Sequence, residues 1–297
     1  MRDPAVIRLL PDRRRLHLNE GPIDLVIEAT GEPESVQRGY QAAARRFVTI
    51  LDELCAELPL LRTRASATSP WPSGSIARVM TDAVAPYREE YFITPMAAVA
   101  GAVAEAVLTA MTRAATLDRA YVNNGGDIAL HLAEGQRYTI GMIERPDRPS
   151  LFGSFEISRD LPIRGIATSG WRGRSFSLGI ADAVTVLAEA ASQADAAATI
   201  VANAVDLPGH PAIVRAPACE LAPDSDLGEL LVTRGVGALS GCEVARALDA
   251  GEAVANQLQQ IGRICGAALS LQGNVRAVSP VCPPLAFHRA PGSLVHA

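Results

Sequence analysis

The chain contains no lysine, and all 27 of its basic residues are arginine. That absence excludes chemistries that need a lysine amine at a fixed place. Pyridoxal-phosphate enzymes and lysine-dependent aldolases form a Schiff base on lysine. The Walker A loop uses a lysine on the nucleotide phosphates. Ordinary protein kinases carry one on their third strand. Heavy use of Ala, Arg, Gly and Pro points to a GC-rich genome as the source of the bias. Aromatic residues are also scarce, at 4%, too few for an obvious base-stacking platform. The cysteines are Cys55, Cys219, Cys242, Cys265 and Cys282, with no C-x-x-C pair and no zinc pattern. Their odd number and wide spacing suit unpaired thiols in a reducing compartment. The histidines, at positions 17, 131, 210, 288 and 296, are scattered, and no H-E-x-x-H occurs. The first turns of sequence carry Arg2, Asp3, Arg8 and Arg13 to Arg15, with no apolar segment of a secretory type. The longest uncharged apolar run, Tyr91 to Ala104, is short for a bilayer span. The expectation is a cytoplasmic protein with no membrane association.

What is present is enough for a sizeable core. The chain has 297 residues, 48% hydrophobic and 20% charged. Its net charge is −5, and the one basic run, Arg13-Arg14-Arg15, reads as a solvated turn, so no nucleic-acid partner is expected. Val6 to Leu10 and Ile23 to Glu28 read as arms of an antiparallel hairpin. Helical spacing runs from Ser35 to Leu58, Ile76 to Tyr87 and Ala97 to Ala114. The middle is strand-rich, at Ala120 to Val122, Ile128 to Leu132, Tyr138 to Ile143, Phe152 to Ile157 and Gly165 to Thr168. A buried strand, Ala183 to Leu187, leads into a helix from Gln193 to Asn203. Strands near Ile213 to Arg215 and Leu230 to Thr233, a helix from Glu243 to Cys265 and a strand from Ala267 to Leu271 follow. Strands grouped between helices, without regular βαβ alternation, favour an α+β fold with a largely antiparallel sheet. No linker composition interrupts the middle, so one domain over residues 1–279 is expected, with a frayed tail at 280–297.

Three constellations carry candidate chemistry. Asn123-Asn124-Gly125-Gly126-Asp127 lies between two strands. It fits a tight hairpin turn, and equally a loop whose bare amides approach a phosphate or a ring. Thr168-Ser169-Gly170 ends a strand, and Trp171-Arg172-Gly173-Arg174-Ser175 follows. Hydroxyls, glycines and two arginines in so short a stretch suit a phosphate group, and also an exposed polar loop. Asp195 and Thr199 stand four residues apart, on one helix face. A carboxylate and a hydroxyl there suit a hard cation such as magnesium. The spacing Ser192-x-x-Asp195 also matches a capping box. Gly235-Val236-Gly237 departs from the dinucleotide fingerprint by one position, and Gly173-Arg174-Ser175-Phe176-Ser177 fails the nucleophile elbow at its last residue.

Taken in order, VNNGGDI (Val122 to Ile128), ATSG (Ala167 to Gly170) and AVTVLAEAASQADAAAT (Ala183 to Thr199) resemble successive motifs of the ApbE-type FAD:protein FMN transferases. The wording TPMAAVAGAVAEAV and RSFSLGIADAVTV is similar to an uncharacterised cytoplasmic branch of ApbE-like proteins. The resemblance implies a T-fold-like α+β architecture, with FAD and magnesium as cofactors. It implies that Asp195 and Thr199 hold the metal with a main-chain carbonyl. It implies that the loops at Asn123, Gly125, Gly126 and Asp127 and at Thr168, Ser169, Gly170 and Arg172 meet the flavin nucleotide. FMN then passes to a hydroxyl of a client flavoprotein. Two positions depart from the transferase pattern. An A-K-G segment is replaced by Val99-Ala100-Gly101, and a histidine after the T-S-G strand is replaced at Arg174, with Asp182 nearby. Arg174 and Asp182 are therefore the candidate catalytic residues. Three functions are open: a flavin transferase with an altered acid–base group, a flavin-binding accessory protein, or another small-metabolite enzyme on the same scaffold. A homo-oligomer is compatible with each.

Overall fold

A computed structural model describes residues 4–143 and 151–279. In chain order the strands and helices begin with β1 (Val6–Leu9), β2 (Leu16–Glu20), β3 (Ile23–Thr30), α1 (Pro33–Ala56), α2 (Leu58–Leu61), α3 (Ser75–Val84) and α4 (Val99–Ala114). Strands β4 (Arg119–Asn124), β5 (Asp127–Leu132), β6 (Arg137–Ile143), β7 (Leu151–Ser158), β8 (Gly165–Ser169) and β9 (Ala183–Ala188) follow. The last third holds α5 (Ala191–Ala204), β10 (Ile213–Pro217), α6 (Ala218–Leu221), β11 (Leu231–Val236), α7 (Gly241–Gln260), β12 (Gly266–Leu271) and β13 (Asn274–Val278). The chain divides into two compact units. One takes the residues up to Arg137 with Ser158–Ala167 and Ala188–Ala196; the other takes Tyr138–Ile157, Thr168–Leu187 and the chain from Ala197.

In the first unit the strands run antiparallel in the order β1-β2-β3-β4-β5-β8. Alternation decides which face is inside. Along β3, Ile23, Leu25, Ile27 and Ala29 are buried, while the residues between them keep partial exposure. Helix α1 opens at Glu32, whose carboxylate accepts from the Ser35 amide at 3.1 Å, with Pro33 at the first helical position. Phe47, Ile50, Leu51 and Leu54 form its buried stripe. Each such side chain contributes about 1.5–3 kcal/mol by leaving water. A single 3-10 turn, Pro95–Ala98, capped by Thr94, precedes α4. Together Pro95–Ala114 is 20 residues of apolar helix, long enough by length and composition to cross a membrane. Here α4 packs on α1, β4 and β5 as a core helix.

In the second unit β9, β12 and β13 form an antiparallel run, and α7 lies on β12 and β13. Helix α7 begins with a complete capping box, Ser240 with Glu243. Strands β10 and β11 form a separate ribbon with a bulge between Val214 and Arg215, and β6 and β7 form another.

The α+β reading with a largely antiparallel sheet holds. Two local expectations change. The hairpin expected between Val6 to Leu10 and Ile23 to Glu28 contains a further strand, β2, which pairs with both neighbours. The helix expected to reach Cys265 stops at Gln260. Gly262 takes φ 71° and the Arg263 amide turns back to the Leu258 carbonyl. The expected tail at 280–297 lies outside the described residues. Cys55, Cys219 and Cys242 are free thiols.

Candidate functional site

In the first unit the turn joining β4 to β5 places Gly125 and Gly126, both at positive φ (66° and 114°), at the centre of a two-residue hairpin. The Asn123 side chain accepts from the Gly126 amide at 2.8 Å, so the turn reading of this segment is correct. A Cβ built on Gly126 meets nothing within 4 Å, which leaves its backbone open to a ligand. Asn124 is buried and donates to the Ala100 carbonyl at 3.2 Å, tying the turn to the start of α4.

Asp195 sits in the first turns of α5. Its carboxylate accepts from the Gly101 amide at 3.0 Å and from the Ala100 amide. These are amides that the beginning of α4 leaves without helical partners. The approach is close: a Cβ on Gly101 would fall 2.3 Å from the Ala191 carbonyl oxygen. Burial, and then the charge of Asp127, push the Asp195 carboxyl well above the usual carboxylate range. The Gly101 and Ala100 amides oppose that shift, and Glu105 adds to it. Glu105, on α4, is itself raised by burial. It accepts from the Ser192 amide at 2.6 Å and the Ser192 hydroxyl at 2.9 Å. The beginning of α5 is thus capped by a carboxylate from another helix. Ser192 donates to Glu105 rather than closing a box with Asp195, and it lies inside the helix rather than before it. Thr199 is one turn further along α5, with partial exposure.

In the second unit the residues after β8 gather on Asp182, which is 6% exposed. One carboxylate oxygen accepts from the Trp171 indole at 3.1 Å and the Arg172 Nε at 2.6 Å. The other accepts from the Gln272 amide at 2.6 Å. The Arg172 guanidinium lies over the Trp171 ring, 4.3 Å from its centroid. Gly170 takes φ 156°, and a Cβ there would come within 2.6 Å of the Asp182 carbonyl oxygen. The Thr168 and Thr185 hydroxyls are 2.9 Å apart. Ser169 is half-buried, and Arg174 is exposed.

The first unit therefore brings Asn123, Gly125, Gly126, Asp127 and Asp195 into one neighbourhood. The second brings Gly170 and Arg172 to Asp182 and sets Thr168 beside Thr185. Sequence reasoning missed the roles of Glu105 and Gln272. Glu105 gave a signal, as the one charged residue between Val99 and Thr112. Gln272 gave none. Among the described residues no group of three or more His, Cys, Asp and Glu side chains is arranged to hold a metal ion. The contacts of Asp195 are two main-chain amides, with the Asp127 and Glu105 carboxylates near enough to oppose its charge.

An antiparallel α+β fold with an acid-bearing helix beside an open glycine turn defines a class of candidate ligand-binding proteins. A family model described as AbpE bacteria matches residues 7–277, and the chain belongs to that family. The UPF0280 protein MK0206 of Methanopyrus kandleri is 40% identical over 131 residues, 43% of this chain and 48% of that protein. A UPF0280 protein of Methanothrix thermoacetophila is 40% identical over 116 residues, 39% of this chain and 47% of that protein. The chain spans about half the length of the curated relatives it matches. A mutant of the flavin transferase ApbE from Vibrio cholerae is similar in structure, with a TM-score of 0.39 and 12% identity. That likeness covers 90% of this chain and 98% of that one.

Proposed function

We propose that the chain binds a flavin nucleotide, FAD, with the help of magnesium, and passes FMN to a client flavoprotein. The observation that carries this reading is the Asp195 carboxylate, drawn by two amides into a place where burial, Asp127 and Glu105 disfavour its charge. In water such a group would simply ionise; here it needs a proton or a cation. Under this reading Asp195 and Thr199, with a main-chain carbonyl, would hold the cation. A bound divalent cation supplies neutralisation of pyrophosphate charge. The glycine turn at Gly125 and Gly126, beside Asn123 and Asp127, carries no side-chain bulk, and the space beside Gly126 lets a ligand approach its backbone closely. Thr168 and Ser169 carry hydroxyls, Arg172 a guanidinium and Gly170 a bare backbone, groups suited to the nucleotide. Free thiols at Cys55, Cys219 and Cys242 agree with a cytoplasmic location.

Equilibrium dialysis against FAD with and without magnesium tests the binding. The parent protein should bind FAD more tightly with the metal. Asp195→Ala should lose that metal-dependent gain while melting cooperatively. Equal metal-dependent binding by parent and variant would overturn the assignment. Arg174 supports a second reading, a binding protein that does not transfer FMN, because an arginine stands where the resembling transferases carry histidine. AMP release from FAD in the presence of a client decides between the two.

A further inference from the structure

The carboxylate of Asp182 has three of its roughly four acceptor positions filled. Both oxygens are engaged, one by Trp171 and Arg172 and the other by the Gln272 amide. Its three donors come from two places in the chain. Trp171 and Arg172 follow β8, and Gln272 follows β12, ninety residues on in sequence from Asp182. Gln272 is held at φ 46°, a left-handed backbone that side-chain-bearing residues rarely adopt. Such strain persists only where the surroundings over-determine it. Here they do: besides its amide bond to Asp182, the Gln272 side chain donates to the Gly237 carbonyl at 2.7 Å and accepts from the Leu239 amide at 3.3 Å. Gly170 adds a second constraint, since only a residue without a Cβ fits against the Asp182 carbonyl.

The product of this arrangement is the pose of Arg172. Its Nε is fixed on Asp182 and its guanidinium carbon lies over the Trp171 ring. The two terminal amino groups have no partner among the described residues, and the side chain is 28% exposed. A guanidinium anchored by one nitrogen and packed over a ring keeps its two terminal amino groups for another partner. Such a pair of donors can receive two oxygens of a phosphate or carboxylate.

We infer that Arg172 receives an oxyanion of the ligand and that Asp182 is its positioning residue rather than the acid or base of the reaction. The inference deepens the flavin-nucleotide reading and, for the identity of the anion as a nucleotide phosphate, rests on it. Asp182 acts by fixing the guanidinium; Trp171 acts by packing against it; Gln272 carries the constraint to the segment at Gly237 and Leu239.

The chain has two tryptophans, so Trp71→Phe leaves Trp171 as the one indole reporter. In that background, titration with inorganic pyrophosphate should give a saturable change in Trp171 emission. Adding Arg172→Ala should abolish it. Adding Asp182→Asn should weaken it about tenfold or more, the scale of one charge-assisted hydrogen-bond arrangement, while the thermal midpoint stays near that of the parent. Parent-like affinity in Asp182→Asn overturns the positioning role. A pyrophosphate response that survives Arg172→Ala, or no response in the Trp71→Phe protein, overturns the oxyanion assignment. If Asp182→Asn does not fold, Arg172→Lys decides, because it keeps the charge and loses the fork. Weakened binding then supports the inference and unchanged binding overturns it. The same titrations with FMN and riboflavin separate this inference from the flavin reading. A response to pyrophosphate but to neither flavin refutes the flavin reading alone. Equal affinity for FMN and riboflavin refutes the phosphate contact alone.

Discussion

Replacing Gly101 with alanine sets two effects against each other. Within a helix, alanine is favoured over glycine by about 0.8–1 kcal/mol. Gly101 is in the first turns of α4, so propensity alone predicts a more stable protein. The added Cβ, however, would lie 2.3 Å from the Ala191 carbonyl oxygen, 2.4 Å from its carbonyl carbon and 2.6 Å from the Ser192 nitrogen. Carbon contacts settle at about 3.5–4.0 Å, so the two helix starts must part by roughly 1 Å. All three neighbours are backbone atoms and cannot swing aside as the end of a side chain would. Overpacking of this kind costs about 1–3 kcal/mol, and contact with backbone puts Gly101 at the upper end. The net expectation is a loss of about 2 kcal/mol, a fall of about 4–8 °C in midpoint by the scaling for domains somewhat smaller than this chain. Separation also lengthens the 3.0 Å bond from the Gly101 amide to Asp195. Magnesium-dependent FAD affinity should therefore drop along with stability. Urea denaturation at unchanged slope, paired with FAD dialysis, reads both. A variant as stable as the parent or more so would show that propensity wins and that the close approach of α4 and α5 is not tight.

Two further outcomes follow from single hydrogen-bond groups. Glu105→Ala removes the acceptor for both the amide and the hydroxyl of Ser192. The start of α5 then has unsatisfied donors, and stability should fall by about 1–2 kcal/mol in urea; a loss below about 0.3 kcal/mol would show that water caps the helix as well. Glu243→Gln addresses pH. The Ser240 amide, the Ser240 hydroxyl and His210 hold the Glu243 carboxyl down to about 2. A depressed carboxyl stabilises the fold fully above its unfolded value of about 4.3, and that contribution is lost as pH falls toward the folded value. The parent should therefore lose stability between about pH 4.5 and 2 more steeply than Glu243→Gln, by urea midpoints at stepped pH. Parallel curves would mean that the capping box does not depend on the charge.

Helices were the most legible part of the chain because their signal is local. The stripe of Phe47, Ile50, Leu51 and Leu54 is visible at helical spacing, and it is the buried face of α1. Strand β2 was hidden for an equally local reason. Its five residues, Leu16 to Glu20, alternate inward and outward, but three of them are polar and an arginine run precedes them. A polar-rich strand of that length shows itself only through its partners. The same division runs through the site. The Asn-Gly turn at Asn124 and Gly125 and the spacing of Asp195 and Thr199 are short-range patterns, and both lie on the elements expected. The partners that give those residues their chemistry do not lie nearby in sequence. Asp195 is met by the Gly101 amide, Ser192 by Glu105, and Asp182 by the Gln272 amide. No periodicity or spacing rule connects positions nearly a hundred residues apart; the sheet and helix packing does that.

The missing lysine takes on a physical meaning at one such meeting. Position 100 is alanine where the resembling transferases carry the lysine of A-K-G. A lysine near Asp195 would supply a full positive charge. The chain instead offers the amides of Ala100 and Gly101 at the start of α4. A helix start is equivalent to roughly half a positive charge, and its effect fades within one turn. Against it stand burial and two further carboxylates, Asp127 and Glu105. The amides orient Asp195 but do not balance it, which is why its carboxyl rises rather than falls. A protein without lysine can hold this acidic cluster in register by main chain alone. It leaves the charge itself to be met by a proton or by a cation.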